Sequence, residues 1–203
     1  MTRRTIGIVD YGVGNHASVL RAFQSLGYRC RVSRDPSVLA ECDVLVLPGV
    51  GAYPTAMSAL TACELVGFLQ ERARGGQPII GLCLGMQLLA DVSHEHGVTA
   101  GLGLIPGEVV PLTTVPWHIG WNTIEVVNGD DLLAPSDQQS VYFNHSYVFR
   151  APEEYQVCVS RLDRSFTVGV RRGKVVGLQF HPEKSQSVGR VMLRNLVEGL
   201  TRA

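Results

Sequence analysis

A cysteine framed by two glycines, Gly81-Leu82-Cys83-Leu84-Gly85-Met86-Gln87, carries the strongest chemical signal in the sequence. It follows the apolar run Pro78-Ile79-Ile80 and leads into Leu88-Leu89-Ala90, which reads as helix. A strand, a small-residue turn and a helix start are thus compressed into about a dozen residues. This is the pattern of a nucleophile elbow with Cys in place of Ser. Gly81 and Gly85 leave room where two backbones approach closely. The turn holds Cys83 at a strained backbone angle with its sulfur exposed, at a helix N-terminus whose N–H groups favour the thiolate. A free cysteine is more often a buried apolar side chain than a nucleophile. The flanking glycines and the switch from strand to helix weigh against that reading here.

A nucleophile needs a base, and the base needs an orienting group. Gln179-Phe180-His181-Pro182-Glu183 offers both, after a strand-like stretch at 174–178. His181 can take the thiol proton, Glu183 can hold the imidazole tautomer, and Pro182 restricts the backbone between them. A surface His beside an exposed Glu is the ordinary alternative. Acyl transfer also needs an oxyanion site. In Pro48-Gly49-Val50-Gly51, Gly49, Val50 and Gly51 can present backbone N–H groups, and the N–H of Leu84 is the second donor expected beside a nucleophile elbow.

Other motifs leave other classes open. Gly12-Val13-Gly14-Asn15-His16-Ala17 matches a G-x-G-x-x-A dinucleotide turn, and Asp35 lies near where a ribose-binding acid belongs. His94-Glu95-His96 lacks the spacing and further ligands of a metal site and reads as a polar loop, so neither metal nor cofactor is expected. His118 beside Trp117 and Trp121 suggests an exposed contact surface. His145-Ser146-Tyr147 ends a strand and can line a pocket.

These residues must be positioned by a fold. Strand-like runs at 5–10, 28–33 and 44–47 alternate with a helix at 17–26, a short helix opened by Asp35-Pro36, and one long helix at 55–74 stopped by Gly75-Gly76. In the first helix Val19, Leu20, Phe23 and Leu26 share a stripe, and Gly27 ends it. Such alternation predicts βαβ units: an α/β fold of three layers, with a mostly parallel central sheet and helices on both faces. Strand-like runs at 107–111, 121–127, 141–147, 155–160, 166–171 and 175–180 predict an antiparallel extension of that sheet. A last helix at 188–200 is expected to face Val191, Met192, Leu196 and Leu200 inward.

The chain of 203 residues suits one domain spanning 1–203. Eighteen Lys and Arg balance eighteen Asp and Glu, which argues against a nucleic-acid partner. No apolar run is long enough to span a membrane. The basic start at 1–4 is followed by too short an apolar run for a signal peptide. Cys30, Cys42, Cys63, Cys83 and Cys158 are odd in number and lack CxxC spacing. That argues against a disulfide framework or a zinc site and for a reduced, cytoplasmic setting.

Together, residues 81–87 and Phe180-His181-Pro182-Glu183 resemble the class I, triad glutamine amidotransferases. The resemblance narrows through Asp10-Tyr11-Gly12-Val13-Gly14-Asn15, the 48–52 turn with Met57, Gly101-Leu102-Gly103-Leu104-Ile105-Pro106-Gly107, His118-Ile119-Gly120-Trp121-Asn122 and the 142–147 segment. These are similar to the glutaminase subunits of imidazole glycerol phosphate synthase. The resemblance implies hydrolysis of glutamine to glutamate and ammonia through a glutamyl thioester on Cys83. His181 would serve as base and then acid, oriented by Glu183, with Gly49, Val50, Gly51 and Leu84 at the oxyanion. Gln87, Glu95, His145, Ser146 and Tyr147 match positions that hold glutamine. It further implies a heterodimer with a (β/α)₈-barrel cyclase subunit, which uses the ammonia to make imidazole glycerol phosphate and an aminoimidazole carboxamide ribotide in histidine biosynthesis. Gly12, Asn15, Trp121 and Asn122 are the interface candidates. Paralogous subunits serve other acceptor synthases, and a stand-alone cysteine hydrolase is a more distant alternative. The chain departs from the pattern in two places: Trp117 stands between Pro116 and His118, and Thr114 replaces a frequent basic residue.

Overall fold

The computed structural model describes residues 4–113 and 115–202; Thr114 and most of the basic start lie outside them. The first half alternates as β1 (Thr5–Val9), α1 (His16–Ser25), β2 (Arg29–Ser33), α2 (Pro36–Ala40), β3 (Val44–Gly49), α3 (Tyr53–Ala62), α4 (Leu65–Arg74), β4 (Ile79–Cys83) and α5 (Leu84–Gln87). The second half is mainly strand: β5 (Val92–Ser93), β6 (Thr99–Ala100), β7 (Glu108–Pro111), β8 (His118–Val126), β9 (Ser140–His145), β10 (Tyr147–Arg150), β11 (Gln156–Arg161), β12 (Ser165–Arg172) and β13 (Val175–Leu178), before α6 (Gln186–Leu200).

Nine strands form the central sheet in the order β2-β1-β3-β4-β13-β12-β11-β8-β9. The first five run parallel and the remaining pairings are antiparallel. β3 explains the three layers. It is buried along its whole length, and its side chains alternate between two apolar cores. Val44 and Val46 pack with Val19 and Phe23 of α1 and with Met192, Leu193 and Leu196 of α6. Leu45 and Leu47 pack with Leu60 of α3 and with Leu65 and Leu69 of α4. The α/β fold with an antiparallel extension is therefore as expected.

Four expectations need correction. The long helix at 55–74 is two helices, broken where Glu64 adopts a left-handed φ of 56°. The helical period explains the break. Counting on from Leu60 would turn Glu64 and Gly67 inward; the break re-phases the chain so that Leu65, Leu69 and Arg72 are buried instead. Second, the run at 107–111 leaves the main sheet. β7 joins a separate four-stranded sheet, β10-β7-β5-β6, and the 141–147 run divides at Ser146 to feed both sheets. Third, α5 is a single turn, and Leu88-Leu89-Ala90 do not extend it. Their carbonyls are claimed by the N–H groups of Leu102, Ile105 and Gly103, so an incoming loop takes the bonds a longer helix would use. Fourth, Val191 of α6 is 44 % exposed while Met192, Leu196 and Leu200 face inward.

Parallel strands end on one edge of the sheet. The carboxyl ends of β1, β3, β4 and β13 therefore bring together the Gly12 turn, the Gly49–Gly51 turn, Cys83 and the segment leading to His181.

Candidate active site

Cys83 is the last residue of β4 and has φ 54° and ψ −113°, a conformation that costs an L-residue free energy and persists only where its surroundings enforce it. The two glycines do this. A Cβ on Gly85 would stand 1.8 Å from the Leu47 carbonyl oxygen, and one on Gly81 would stand 2.5 Å from the Gly85 oxygen. The elbow is thus pressed against β3, with Gly49 opposite Cys83 in register. Because α5 is one turn long, it offers Cys83 the N–H groups of its first residues rather than a full helix dipole.

His181 follows β13 and is fixed by its backbone. Its N–H donates to Tyr142 O at 2.8 Å, and its carbonyl accepts from Ser185 Oγ at 2.7 Å. Ser185 Oγ in turn accepts from Tyr142 N at 3.0 Å. A short turn, Pro182–Lys184, folds Glu183 back so that its Oε1 accepts from His181 Nδ1 at 2.8 Å. The two side chains are only 6 % and 2 % exposed. Burial opposes a charge on His181, but hydrogen bonds to Cys83 and Glu183 outweigh it and lift the imidazole from 6.5 to about 9. Nδ1 is taken by Glu183, which leaves Nε2 for the sulfur. Sγ also lies 3.7 Å from the Asn144 carbonyl oxygen and 3.9 Å from Gln179 Nε2.

These groups meet at a cavity of about 260 Å³. Val50, Gly51, Cys83, Leu84, Glu95 and Ser146 are among its lining residues, as are Gln87, His145, Tyr147 and His181. Gly51 has φ +88°, a backbone state that favours glycine, and its Cβ position is empty space. Tyr11 Oη donates to Pro48 O at 2.7 Å. Burial first, and charge on Cys83 second, raise the Tyr11 phenol far above its usual range, so it remains a donor. Glu95 is buried rather than loop-exposed, and its Oε2 accepts from Tyr53 N at 2.8 Å. It caps α3, whose own N-cap residue, Ala52, has no side chain able to do so. A nucleophile, a buried base with an oriented tautomer, N–H groups at a glycine turn and a small polar cavity together suit acyl transfer.

A family model described as glutamine amidotransferase class-I matches residues 7–199. The chain belongs to this family. Its sequence is 42 % identical over 197 residues to the imidazole glycerol phosphate synthase subunit HisH of Listeria monocytogenes, covering 95 % of each chain. It is 44 % identical over 196 residues to the protein of that name from Carboxydothermus hydrogenoformans, covering 95 % of this chain and 98 % of that one. A glutamine amidotransferase of Thermotoga maritima shares the fold at 20 % identity, with a TM-score of 0.74 over the full length of both chains.

In this amidotransferase chain the sequence-derived residues divide into three groups. Cys83, His181, Glu183, Val50, Gly51, Leu84, Gln87, Glu95, His145, Ser146 and Tyr147 converge on one site. Gly49 stands behind it: a Cβ there would press on Tyr11 Oη and Leu84 Cβ at 2.8 and 2.9 Å. Gly12 and Asn15 are exposed in the turn after β1, and Trp121 is exposed on β8 against Tyr142. Asn15 caps α1 through its side chain, and Asp35 is spent capping α2. Asn122 is half-buried, bonded to His118 and to the Arg161 carbonyl.

Some details were not readable from sequence. His145 has neither ring nitrogen to spare, since Nδ1 meets Tyr147 O and Nε2 meets His118 Nδ1, each at 2.9 Å. Gln87 Nε2 spends its hydrogens on Tyr147 O and Gln179 Oε1. Trp117, Asn144 and Lys184 also line the cavity, and Trp117 Nε1 donates to Asn144 Oδ1 at 3.0 Å. Gln179 and Lys184 lie within two residues of the His-Pro-Glu motif, and Asn144 lies inside the 142–147 segment, signals that could have found them.

Proposed function

We propose that Cys83 attacks the side-chain amide of glutamine and that this chain supplies the released ammonia to a cyclase subunit of imidazole glycerol phosphate synthase. The contact of His181 with both Cys83 and Glu183, at a cavity sized for a small polar substrate, carries the reading. Glutamine amidotransferase activity follows from the family; the residue roles are our assignment. His181 takes the thiol proton, and the sulfur forms a bond to the amide carbon. N–H groups of the Val50–Gly51 turn and of Leu84 stabilise the oxyanion. The imidazolium then protonates the leaving nitrogen, and ammonia departs from a glutamyl thioester. Water, deprotonated by His181, releases glutamate. Glu183 holds the tautomer throughout.

The cyclase is a (β/α)₈-barrel, and the product pair is imidazole glycerol phosphate and an aminoimidazole carboxamide ribotide, formed in the cytoplasm. Trp117, Ile119 and Trp121 are 61, 59 and 51 % exposed around the cavity mouth and β8, an apolar surface suited to a protein partner. Ammonia is largely protonated near neutral pH and then has no nucleophilic lone pair, which favours direct transfer. Among the described residues no helix is long and apolar enough to cross a membrane. The test is glutamate release from glutamine with and without the histidine-pathway cyclase and its ribotide ligand. Stimulation by both supports the reading. Robust activity indifferent to that cyclase would assign the chain to another acceptor synthase.

A further inference from the structure

His118 takes no part in the chemistry above, yet it is buried and both its ring nitrogens are engaged. It stands opposite His145 on the neighbouring antiparallel strand. The direction of each bond can be fixed from one end. Tyr147 O only accepts, so His145 Nδ1 carries a proton and donates to it at 2.9 Å. A neutral His145 then accepts at Nε2, so His118 Nδ1 carries the proton that bridges their 2.9 Å separation. His118 Nε2 must therefore accept, and Asn122 Nδ2 stands 3.3 Å from it. Asn122 is turned the right way, because its Oδ1 accepts from Thr123 N at 2.8 Å and its Nδ2 also donates to Arg161 O at 3.0 Å.

Burial lowers the affinity of both rings for a second proton. His118 lies below its ordinary value, and His145 falls to about 4, with the Tyr147 carbonyl opposing the fall. Both are neutral near pH 7, as the chain of bonds requires. The His118 ring is held by Phe143 and Phe166, with centroids 4.6 and 5.5 Å away.

The chain ends on the cavity. Tyr147 O receives a second donor, Gln87 Nε2, at 3.2 Å. Residues 144–147 form one wall of the Cys83 cavity. That wall is also tied by Leu112 N to Ser146 O at 2.8 Å.

The geometry points to His118 as a positioning residue: its Nδ1–H bond joins the Tyr147 carbonyl in holding the tautomer and ring plane of His145, and through that carbonyl steadies the wall against which glutamine lies. The inference rests on the reading of this cavity as the glutamine site. His118 touches no reacting atom, so its loss acts on glutamine binding more than on the chemical step.

Three substitutions separate the hydrogen bond from the packing. His118→Leu and His118→Phe keep bulk and lose the donor. His118→Asn loses bulk but keeps an N–H close to the Nδ1 position. Assayed with the cyclase subunit, Leu and Phe should raise KM for glutamine about tenfold while kcat changes by about twofold or less. Asn should raise KM less than either, although it melts lower. Nitrogen-15 NMR at neutral pH should show both histidines of the unsubstituted chain as neutral Nδ1–H tautomers, with His145 losing that single tautomer in His118→Leu. A KM order that follows melting temperature, or an unaltered KM in His118→Leu, would overturn the inference and leave the glutaminase reading standing. Absence of glutaminase activity in the unsubstituted complex would instead overturn both, whatever the tautomers.

Discussion

Replacing Glu183 by Gln removes one negative charge and keeps the side chain's shape. The structure sets the size of the effect. Glu183 Oε1 lies 2.8 Å from His181 Nδ1, both groups are almost wholly buried, and the imidazole is lifted from 6.5 to about 9 against the opposing effect of burial. That rise corresponds to about 3 kcal/mol in favour of the imidazolium. Cys83, the larger contributor, and Glu183 together supply that amount and what burial, the largest single effect, takes away. Giving Glu183 somewhat under half of that sum predicts a loss of at least about 1 kcal/mol, or a fall in kcat of at least about fivefold from charge alone. A Gln amide can also turn its NH₂ toward Nδ1 and favour the wrong tautomer, which deepens the loss. The folded value is raised, so the imidazolium proposed to protonate the leaving nitrogen is present below about pH 9 and is lost as pH rises through it. The alkaline limb of kcat should therefore fall near pH 9 in the unsubstituted enzyme, and in Glu183→Gln it should move to lower pH by about one unit. The assay is glutamate release in the complex across pH, with circular dichroism to confirm folding. A limb that stays in place, or moves upward, in a folded Glu183→Gln variant would mean that Glu183 does not raise the His181 imidazole.

Other substitutions test the scaffold and the partner surface. Gly85→Ala places a Cβ 1.8 Å from Leu47 O, and should lower Tm by about 10 °C or more in calorimetry; an unchanged Tm would contradict the elbow packing. Gly51→Ala meets no atom but must adopt φ +88°. It should cost only about 1–2 kcal/mol of stability by denaturant titration. It should nevertheless lower glutamine-dependent turnover at least about tenfold while ammonia-dependent synthesis by the complex persists. Trp121→Ala removes a half-exposed indole that packs edge-on to Tyr142. Calorimetric titration should show cyclase affinity weakened about 30-fold or more, with the Tm of the isolated chain nearly unchanged.

Much of the site was legible because its chemistry is local. The strand-turn-helix signature of residues 81–87 and the two-residue step from His181 to Glu183 both specify geometry within a few residues, and the parallel-strand pattern places them on one edge. Longer-range features were hidden for physical reasons. The break at Glu64 answers to burial of Leu65 and Leu69, not to any local helix breaker. The end of α5 is imposed by the 101–105 loop arriving from elsewhere in the chain. Glu95 reads as a polar loop residue until α3 brings the Tyr53 N–H to it. His118 reads as part of a surface because Trp117 and Trp121 stand near it in a Pro- and Gly-containing run, whereas strand alternation turns its ring inward against His145 and Phe143. Pairing across strands is not written in either strand alone.

In the proposed mechanism, glutamine hydrolysis passes through a covalent bond to Cys83. The direct measurement is mass spectrometry of the complex, acid-quenched during turnover with glutamine and digested. One glutamyl group is expected on the peptide holding Cys83, none on those holding Cys30, Cys42, Cys63 or Cys158, and no glutamate release by Cys83→Ala. Turnover with Cys83 unmodified, together with glutamate release by a folded Cys83→Ala variant, would contradict that mechanism.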